Sequence, residues 1–263
     1  MPFSGPENTS GPNLTPARCY FEQGMDSVLV FSKTAGYRHG NIPKGIAAIR
    51  KLGRENGFSV AATEDTSYFT ADNLSGFGAV VFLNTSGKVL ESPQEDAFQA
   101  FIRSGGGFVG VHAACDTLYE WPWYGELIGA WFASHPIVQP GKVRVTDADH
   151  PATAHLPSEW KRWDEWYDFR ENPRGKVRVL AELEEASYYG GKMGKDHPIV
   201  WCHEFQGGRS FYTGLGHTRR GFSDPRYLQH LLGGIFYALG RGEQGVGIGV
   251  SDGNIRSSNG LGE

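Results

Sequence analysis

The chain has 263 residues, a hydrophobic fraction of 39% and a formal net charge of −4. That length and apolar content suffice for a packed core, which excludes global disorder, and the slight acid excess removes the electrostatic case for nucleic acid or an anionic membrane surface as partner. Cys19, Cys115 and Cys202 lie far apart with no Cys-x-x-Cys pair, so neither a disulfide framework nor a structural zinc site of ordinary spacing is expected.

In chain order, Met1 to Pro16 is rich in Gly, Pro, Ser and Asn and lacks the charged and apolar regions of a secretory signal. No apolar stretch has the length of a membrane span, so a soluble, cytoplasmic protein is expected. Residues 1–25 read as a flexible tail. Ser27 to Ser32 is a short apolar run of the kind found in buried parallel strands. Ile42 to Asn56 carries Ile46, Ile49 and Leu52 at helical spacing, with Gly57 as its stop. Ser59 to Thr63 and Phe77 to Leu83 are further strands. Ser92 to Ser104 reads as a helix with Ser92 as N-cap, Pro93 at its first position and Glu95 three residues on. Gly105 to Gly107 end it, and Phe108 to Val111 open the next strand.

The second half is more β-like. Gly141 to Thr146 and Val177 to Leu183 alternate as half-buried strands do. Pro198 to Phe205 and Gly208 to Thr213 read as a hairpin across Gln206-Gly207, Arg226 to Leu239 as a last amphipathic helix, and 241–263 as a Gly-rich flexible tail. Strand, helix and strand in alternation with short links specify an α/β, doubly wound, mostly parallel sheet over residues 26–240, with an added β-rich second half. Such sheets place function in the crevice beyond the carboxyl ends of their strands.

Five polar constellations fall near predicted strand ends or loops: Tyr37-Arg38-His39, His112 to Asp116, Ser134-His135-Pro136, Trp163 to Tyr167, and Gly214 to His217. Singly, a histidine beside glycines most often bonds backbone in a turn. His39, His112, His135 and His217 stand apart because this fold should converge their loops. His150, His155, His197 and His230 are expected at loop or surface positions, and His203 lies within a strand. Neutral imidazoles with a carboxylate form a ligand set for Zn, Mn, Fe or Ni. The competing reading has the same histidines act directly as acid–base groups. Glu165, between Trp163 and Trp166, is the candidate general acid or base, with Asp164 as runner-up and Asp116 as a support of the turn. Trp121, Trp123 and Tyr124, in a Pro-containing loop, are a candidate sugar-stacking wall.

The order Tyr37-Arg38-His39, Gly110-Val111-His112-Ala113-Ala114, Ser134-His135-Pro136, Asp164 to Phe169 and His197 to His217 resembles the ThuA-like (trehalose-utilisation) family over roughly Asp26 to Gly240. The resemblance implies a flavodoxin-like, class I glutamine amidotransferase-like fold with His112 where those enzymes carry their nucleophilic cysteine. It also implies work on disaccharides through sugars oxidised at carbon 3. Elimination, hydrolysis and isomerisation all remain open, with His112, Glu165 or Asp164 as catalytic groups. His39, His112, His135 and His217 are candidate metal ligands, and Tyr37, Arg38, Trp121, Trp123, Tyr124 and Trp166 candidate substrate contacts. No nucleotide cofactor is expected. The partner is a small carbohydrate, with a homodimer as one expected assembly. The alternatives are a non-catalytic sugar-binding or assembly module and a glutaminase that uses Cys115.

Overall fold

The computed structural model describes residues 26–241; the N-terminal tail and, beyond Arg241, the C-terminal tail lie outside the described residues. The order of elements is β1 (Ser27–Phe31), α1 (Ile42–Asn56), β2 (Ser59–Thr63), α2 (Ala71–Leu74), β3 (Ala79–Leu83), α3 (Ser92–Arg103), β4 (Gly107–Val111) and α4 (Pro122–Ile128). Then come β5 (Phe132–Ser134), β6 (Gln139–Val145), β7 (Glu159–Asp164), β8 (Asp168–Phe169), β9 (Arg178–Glu184), β10 (Pro198–Phe205), β11 (Gly208–Thr213) and α5 (Pro225–Ala238). Among the described residues no helix is long and apolar enough to cross a membrane.

Nine strands form one sheet in the order β2-β1-β3-β4-β11-β10-β9-β6-β7. The first five in that order run parallel, and the remaining four pair antiparallel. The β-rich second half therefore continues the parallel sheet instead of forming a separate layer. Residues of β1, β3 and β4 are all buried, as strands covered on both faces must be. Helices α1 and α5 pack together on one face, and α2 and α3 on the other. Under the second face, Phe31, Phe69, Phe82, Phe98 and Phe108 interlock, with Phe82 and Phe98 stacked at 5.4 Å. Each such ring buried contributes roughly 1.5–3 kcal/mol, so the parallel strands that carry the site are anchored by this aromatic layer.

Local signals explain most boundaries. Gly57 closes α1 in the left-handed region (φ 68°) with its N–H on Gly53 O. Gln206 and Gly207 both take positive φ (47° and 99°), as a two-residue hairpin requires. Three expectations need correction. The N-cap of α3 is Glu91, not Ser92: Gln94 reaches back to accept from the Glu91 N–H at 3.0 Å. His230 lies inside α5 and is buried, and His150 and His197, though in loops as expected, are buried too, because each ring finds partners inside. Residues Glu159–Asp164 form an edge strand, where no element was expected. Their alternation of exposed and buried residues is hidden in the sequence because Arg162 and Asp164 occupy inward positions.

Strand direction gathers the site. β1, β4, β11 and β7 all point the same way in the sheet, so their carboxyl ends share one edge. His39 follows β1, His112 follows β4, His217 follows β11 and Glu165 follows β7.

Candidate active site

The backbone of β4 leaves the sheet through His112, which adopts φ 49° at the head of a 3₁₀ turn, His112–Asp116. A left-handed non-glycine residue is strained and persists only where its surroundings over-determine it. Here the imidazole is fully buried and its Nδ1 lies 2.9 Å from the Gly214 carbonyl. A carbonyl only accepts, so Nδ1 carries the hydrogen and Nε2 is left with its lone pair, 3.3 Å from Glu165 Oε2. Tyr167 packs its ring 4.1 Å from the His112 ring and fixes the imidazole plane.

The loop bearing His217 is clamped on both sides. Asp164, fully buried, accepts from the N–H groups of Gly216 (3.1 Å) and His217 (3.0 Å). Asn41 donates to the carbonyls of the same two residues at 2.7 and 2.5 Å, and is itself held by Asn84 Nδ2 at 2.8 Å. Gly216 sits at φ 119°, and a Cβ there would stand 2.5 Å from the Tyr227 hydroxyl, so only glycine fits. Asp164 is thus a holder of backbone, not a group aimed at a ligand. Asn41 and Asn84 carry no motif in the sequence. The only signal that could have found them is their position just beyond β1's loop and β3, at the crevice edge.

Glu165 is the centre of the group. Its Oε2 lies 3.0 Å from His217 Nδ1 as well as beside His112, and its Oε1 lies 3.3 Å from His135 Nδ1. Burial by itself would raise the carboxyl's pKa, but the His112 and His217 imidazoles override it and hold the group well below the usual carboxylate range. His217 responds in kind: burial pulls its pKa down, and Glu165 pulls it further up. His39 is buried with its ring 5.1 Å from those of both His112 and His217. Burial first, and repulsion from His112 and His217 second, push its pKa down to about 3, so it is neutral at pH 7.

His39, His112, His217 and Glu165 each offer one ligand atom, and those atoms lie within 4.8 Å of one another. In a tetrahedral site, donors ~2.1 Å from one ion lie ~3.4 Å apart, so the four side chains could hold a divalent cation after drawing together by about 1 Å. The Nδ1 atoms of His39 and His217 are buried and make no aligned hydrogen bond. Buried imidazole nitrogens are rarely left so, and a cation would satisfy them. His135 joins the group from the rim. Its side chain is 41% exposed and its Nδ1 also contacts Pro136 O at 2.9 Å.

The ThuA family model, described as trehalose utilisation, matches residues 27–238. The chain belongs to the ThuA family. A ThuA-like protein from Bacteroides uniformis is 26% identical, with a TM-score of 0.71 over 85% of this chain and 95% of its own. A second, from Parabacteroides merdae, is 22% identical, with a TM-score of 0.67 over 84% and 92%. The β-galactosidase of Bacillus circulans shares the fold alone: 14% identity and a TM-score of 0.55 over 82% of this chain and 31% of the enzyme. No curated protein matches the chain.

Other residues of this ThuA chain fall outside the cluster. Tyr37 is exposed at the rim, with its ring 4.8 Å from that of His39. Arg38 is exposed and paired with Glu64 at 2.6 Å. Trp166 is fully buried with its indole N–H on Gln139 O, a core contact. Trp123 and Tyr124 are also core. Trp123 donates to Gln206, in the hairpin turn at the opposite edge of the sheet, and Tyr124 to Ala114 O. Trp121 stacks on Trp123 at 4.8 Å and lines a 340 Å³ cavity with Lys88, Glu95 and Tyr119. The expected aromatic wall is therefore mostly packing for α4, because a run rich in Trp and Tyr buries more area against a helix layer than in a crevice. Asp116 is bonded by the Tyr119 hydroxyl at 2.6 Å, and burial raises its pKa. Cys115 is fully buried, accepts from Tyr212, and has its thiol pKa pushed up by burial, so it offers no thiolate to glutamine.

Proposed function

We propose that this protein is a metal-assisted enzyme acting on a 3-keto-glycoside or an oxidised disaccharide. The observation that carries the reading is the convergence of three imidazoles and one carboxylate, with the Nδ1 of His39 unspent, at the carboxyl edge of the sheet in a member of the trehalose-utilisation family. In this reading His39, His112, His217 and Glu165 hold the ion. When bound, a divalent cation supplies Lewis acidity toward a sugar carbonyl.

A ketone at carbon 3 acidifies the proton on carbon 2. The base falls to His135 instead of His112, since His112 is fully buried, its Nδ1–H is spent on Gly214 O and its Nε2 is assigned to the ion. His135 spends its Nδ1–H on Pro136 O and Glu165, keeps its lone pair on Nε2, and reaches solvent. The proton on carbon 2 passes to Nε2, a carbon 1–carbon 2 double bond forms, the bond from carbon 1 to the aglycone oxygen breaks, and that oxygen leaves as the alcohol with a proton from water, whose hydroxide recovers the proton from Nε2. Water then adds its hydroxyl to carbon 1 and a proton to carbon 2, for a net hydrolysis. Tyr167 excludes water from the inner side of His112. The alternative, a sugar-binding module, expects histidines spent on structural hydrogen bonds, and the free Nδ1 of His39 weighs against it.

The test is NMR of a methyl 3-keto-glucoside in D2O with protein loaded in turn with Zn, Mn, Fe and Ni. Deuterium at carbon 2 and released methanol, both abolished by His135→Ala while metal content stays, are expected. Absence of both with every ion would overturn the reading.

A further inference from the structure

A cavity of about 540 Å³ opens beside the cluster, between edge strand β7 and the start of α5. Its volume is that of a small-ligand site, roughly 300–1,000 Å³. Two connections tie it to the candidate active site. Thr218, in its wall, directly follows His217. Arg162, also in its wall, lies 3.5 Å from Asp164 Oδ2, and Asp164 is the carboxylate that holds the His217 loop.

The charge of the wall sets it apart. The chain has a net charge of −4, yet the lining of this cavity holds three cations, Lys161, Arg162 and Arg220, against one carboxylate, Asp224. That carboxylate is already spent. Its Oδ2 accepts from Arg162 at 2.8 Å, and its Oδ1 caps α5 through the Arg226 N–H at 3.0 Å. Arg162 is committed in turn, buried between Trp160 and Tyr227 and shared by Asp224 and Asp164, with only its Nε left unpartnered. Lys161 and Arg220 are exposed, and among the described residues neither pairs with a carboxylate. Glu159, on the Lys161 face of β7, goes to Lys142 instead.

An ammonium and a guanidinium facing one cavity are the donors with which proteins hold phosphate. Hydroxyls complete the set. Thr218 Oγ1 accepts from the Gly221 N–H at 3.2 Å, which leaves its own O–H to donate, and Ser223 adds a second hydroxyl. A phosphomonoester carries about −1.5 to −2 at pH 7 on three acceptor oxygens, a better match to two free cations than a carboxylate with one charge. Trp163, 58% exposed in the same wall, offers an apolar face to whatever carries the phosphate.

We infer that this cavity binds the phosphate of a small sugar phosphomonoester, with Lys161 and Arg220 on the phosphate and Trp163 against the sugar. The choice of a sugar as carrier rests on the carbohydrate reading above; the anion site does not. All three residues stand outside the ion-holding group.

Titration calorimetry of the full chain compares inorganic phosphate, glucose 6-phosphate and glucose. The proteins are the unmutated chain, the double variant Lys161→Gln with Arg220→Gln, and Trp163→Ala, with circular dichroism and metal content as controls. Both substituted cations are exposed, so the double variant should fold. Glucose 6-phosphate should bind at least about tenfold more tightly than glucose, and the double variant should lose that difference. Trp163→Ala should bring glucose 6-phosphate down to the level of inorganic phosphate. No phosphate binding would overturn the site. So would phosphate binding that the double variant retains, which would assign the anion to the histidine cluster. Glucose 6-phosphate no tighter than inorganic phosphate in the unmutated chain would overturn the sugar as carrier. Displacement of glucose 6-phosphate by methyl 3-keto-glucoside would put the phosphate on the substrate, and simultaneous binding would put it on a separate effector, with the site standing in both. Phosphate binding through Lys161 and Arg220 without turnover of any keto-glycoside would leave the site intact and remove the proposed reaction alone.

Discussion

Among the described residues, two groups of histidine and carboxylate bring their ligand atoms within 4.8 Å: His39, His112, His217 and Glu165 in one, Asp168, Glu185 and His197 in the other. By residue type they look alike. Their hydrogen bonds differ. In the second group, Asp168 accepts from Ser134 Oγ and from the Lys192 N–H, Glu185 accepts from the Met193 N–H, and His197 bridges Glu185 and the Tyr167 carbonyl at 2.9 Å each. Every member is spent on holding the chain between Tyr167 and Met193. In the first group the His217 loop is held by other residues, Asp164 and Asn41, which leaves the Nδ1 of His39 without a hydrogen bond and turns His217 toward Glu165. A site is recognised by what its residues have left over, more than by which residues it contains.

The comparison can be broken at several points, and the largest effect belongs to the first group. Glu165→Ala or His112→Ala should strip bound metal and lower activity by more than a hundredfold, beyond the usual cost of losing a supporting partner; elemental analysis and initial rates read this directly. Asn41→Ala should retain the ligands but weaken metal affinity by roughly ten- to a hundredfold, because the His217 loop loses its clamp, as a competitive chelator titration would show. Glu185→Gln sharpens the contrast: metal content should hold, while the denaturant midpoint falls by the equivalent of about 1–3 kcal/mol for a buried network left half-satisfied. Loss of metal in Glu185→Gln with stability unchanged would invert the roles of the two groups.

The last effect concerns acid. His230 is fully buried and desolvation pushes its pKa down to about 3; His150, also buried, falls to about 4. Both are neutral in the fold and ordinary in the unfolded chain, near 6.5. Above that pH neither state binds the proton and no linkage arises. As pH falls below 6.5 the unfolded state takes up protons that the fold refuses, so stability drops. At pH 5 His230 accounts for about 2 kcal/mol of that loss. Urea midpoints at pH 7 and pH 5, with His230→Asn as control, check the sign; a midpoint that rises on acidification would contradict it.

Much of the architecture was legible in the residues themselves. The boundaries of α1 follow from Ile46, Ile49 and Leu52 with Gly57 as a stop, and the β10–β11 hairpin from alternation around Gln206-Gly207. These are local effects of backbone conformation and period. His39, His112 and His217 were legible as candidates because strand ends in a doubly wound sheet converge. Edge strand β7 was not legible. Its inward residues, Arg162 and Asp164, are charged, and only partners distant in sequence, Asp224 and the Gly216–His217 backbone, make that burial tolerable.

The sequence by itself determined the family, the longer elements from β1 to β4, the β10–β11 hairpin and the last helix, and the set of histidines worth weighing, since propensity, period and motif are all encoded within short stretches. Tertiary structure alone decided which of them meet. It set β7 in the same direction as β1, β4 and β11, so that Glu165 stands among His39, His112 and His217. It sent Trp123, Tyr124 and Trp166 into the core and left Trp163 in the open. Those outcomes depend on which side chains hydrogen-bond and pack across separations of a hundred residues or so, as His112 does with Gly214, and no local pattern carries that information.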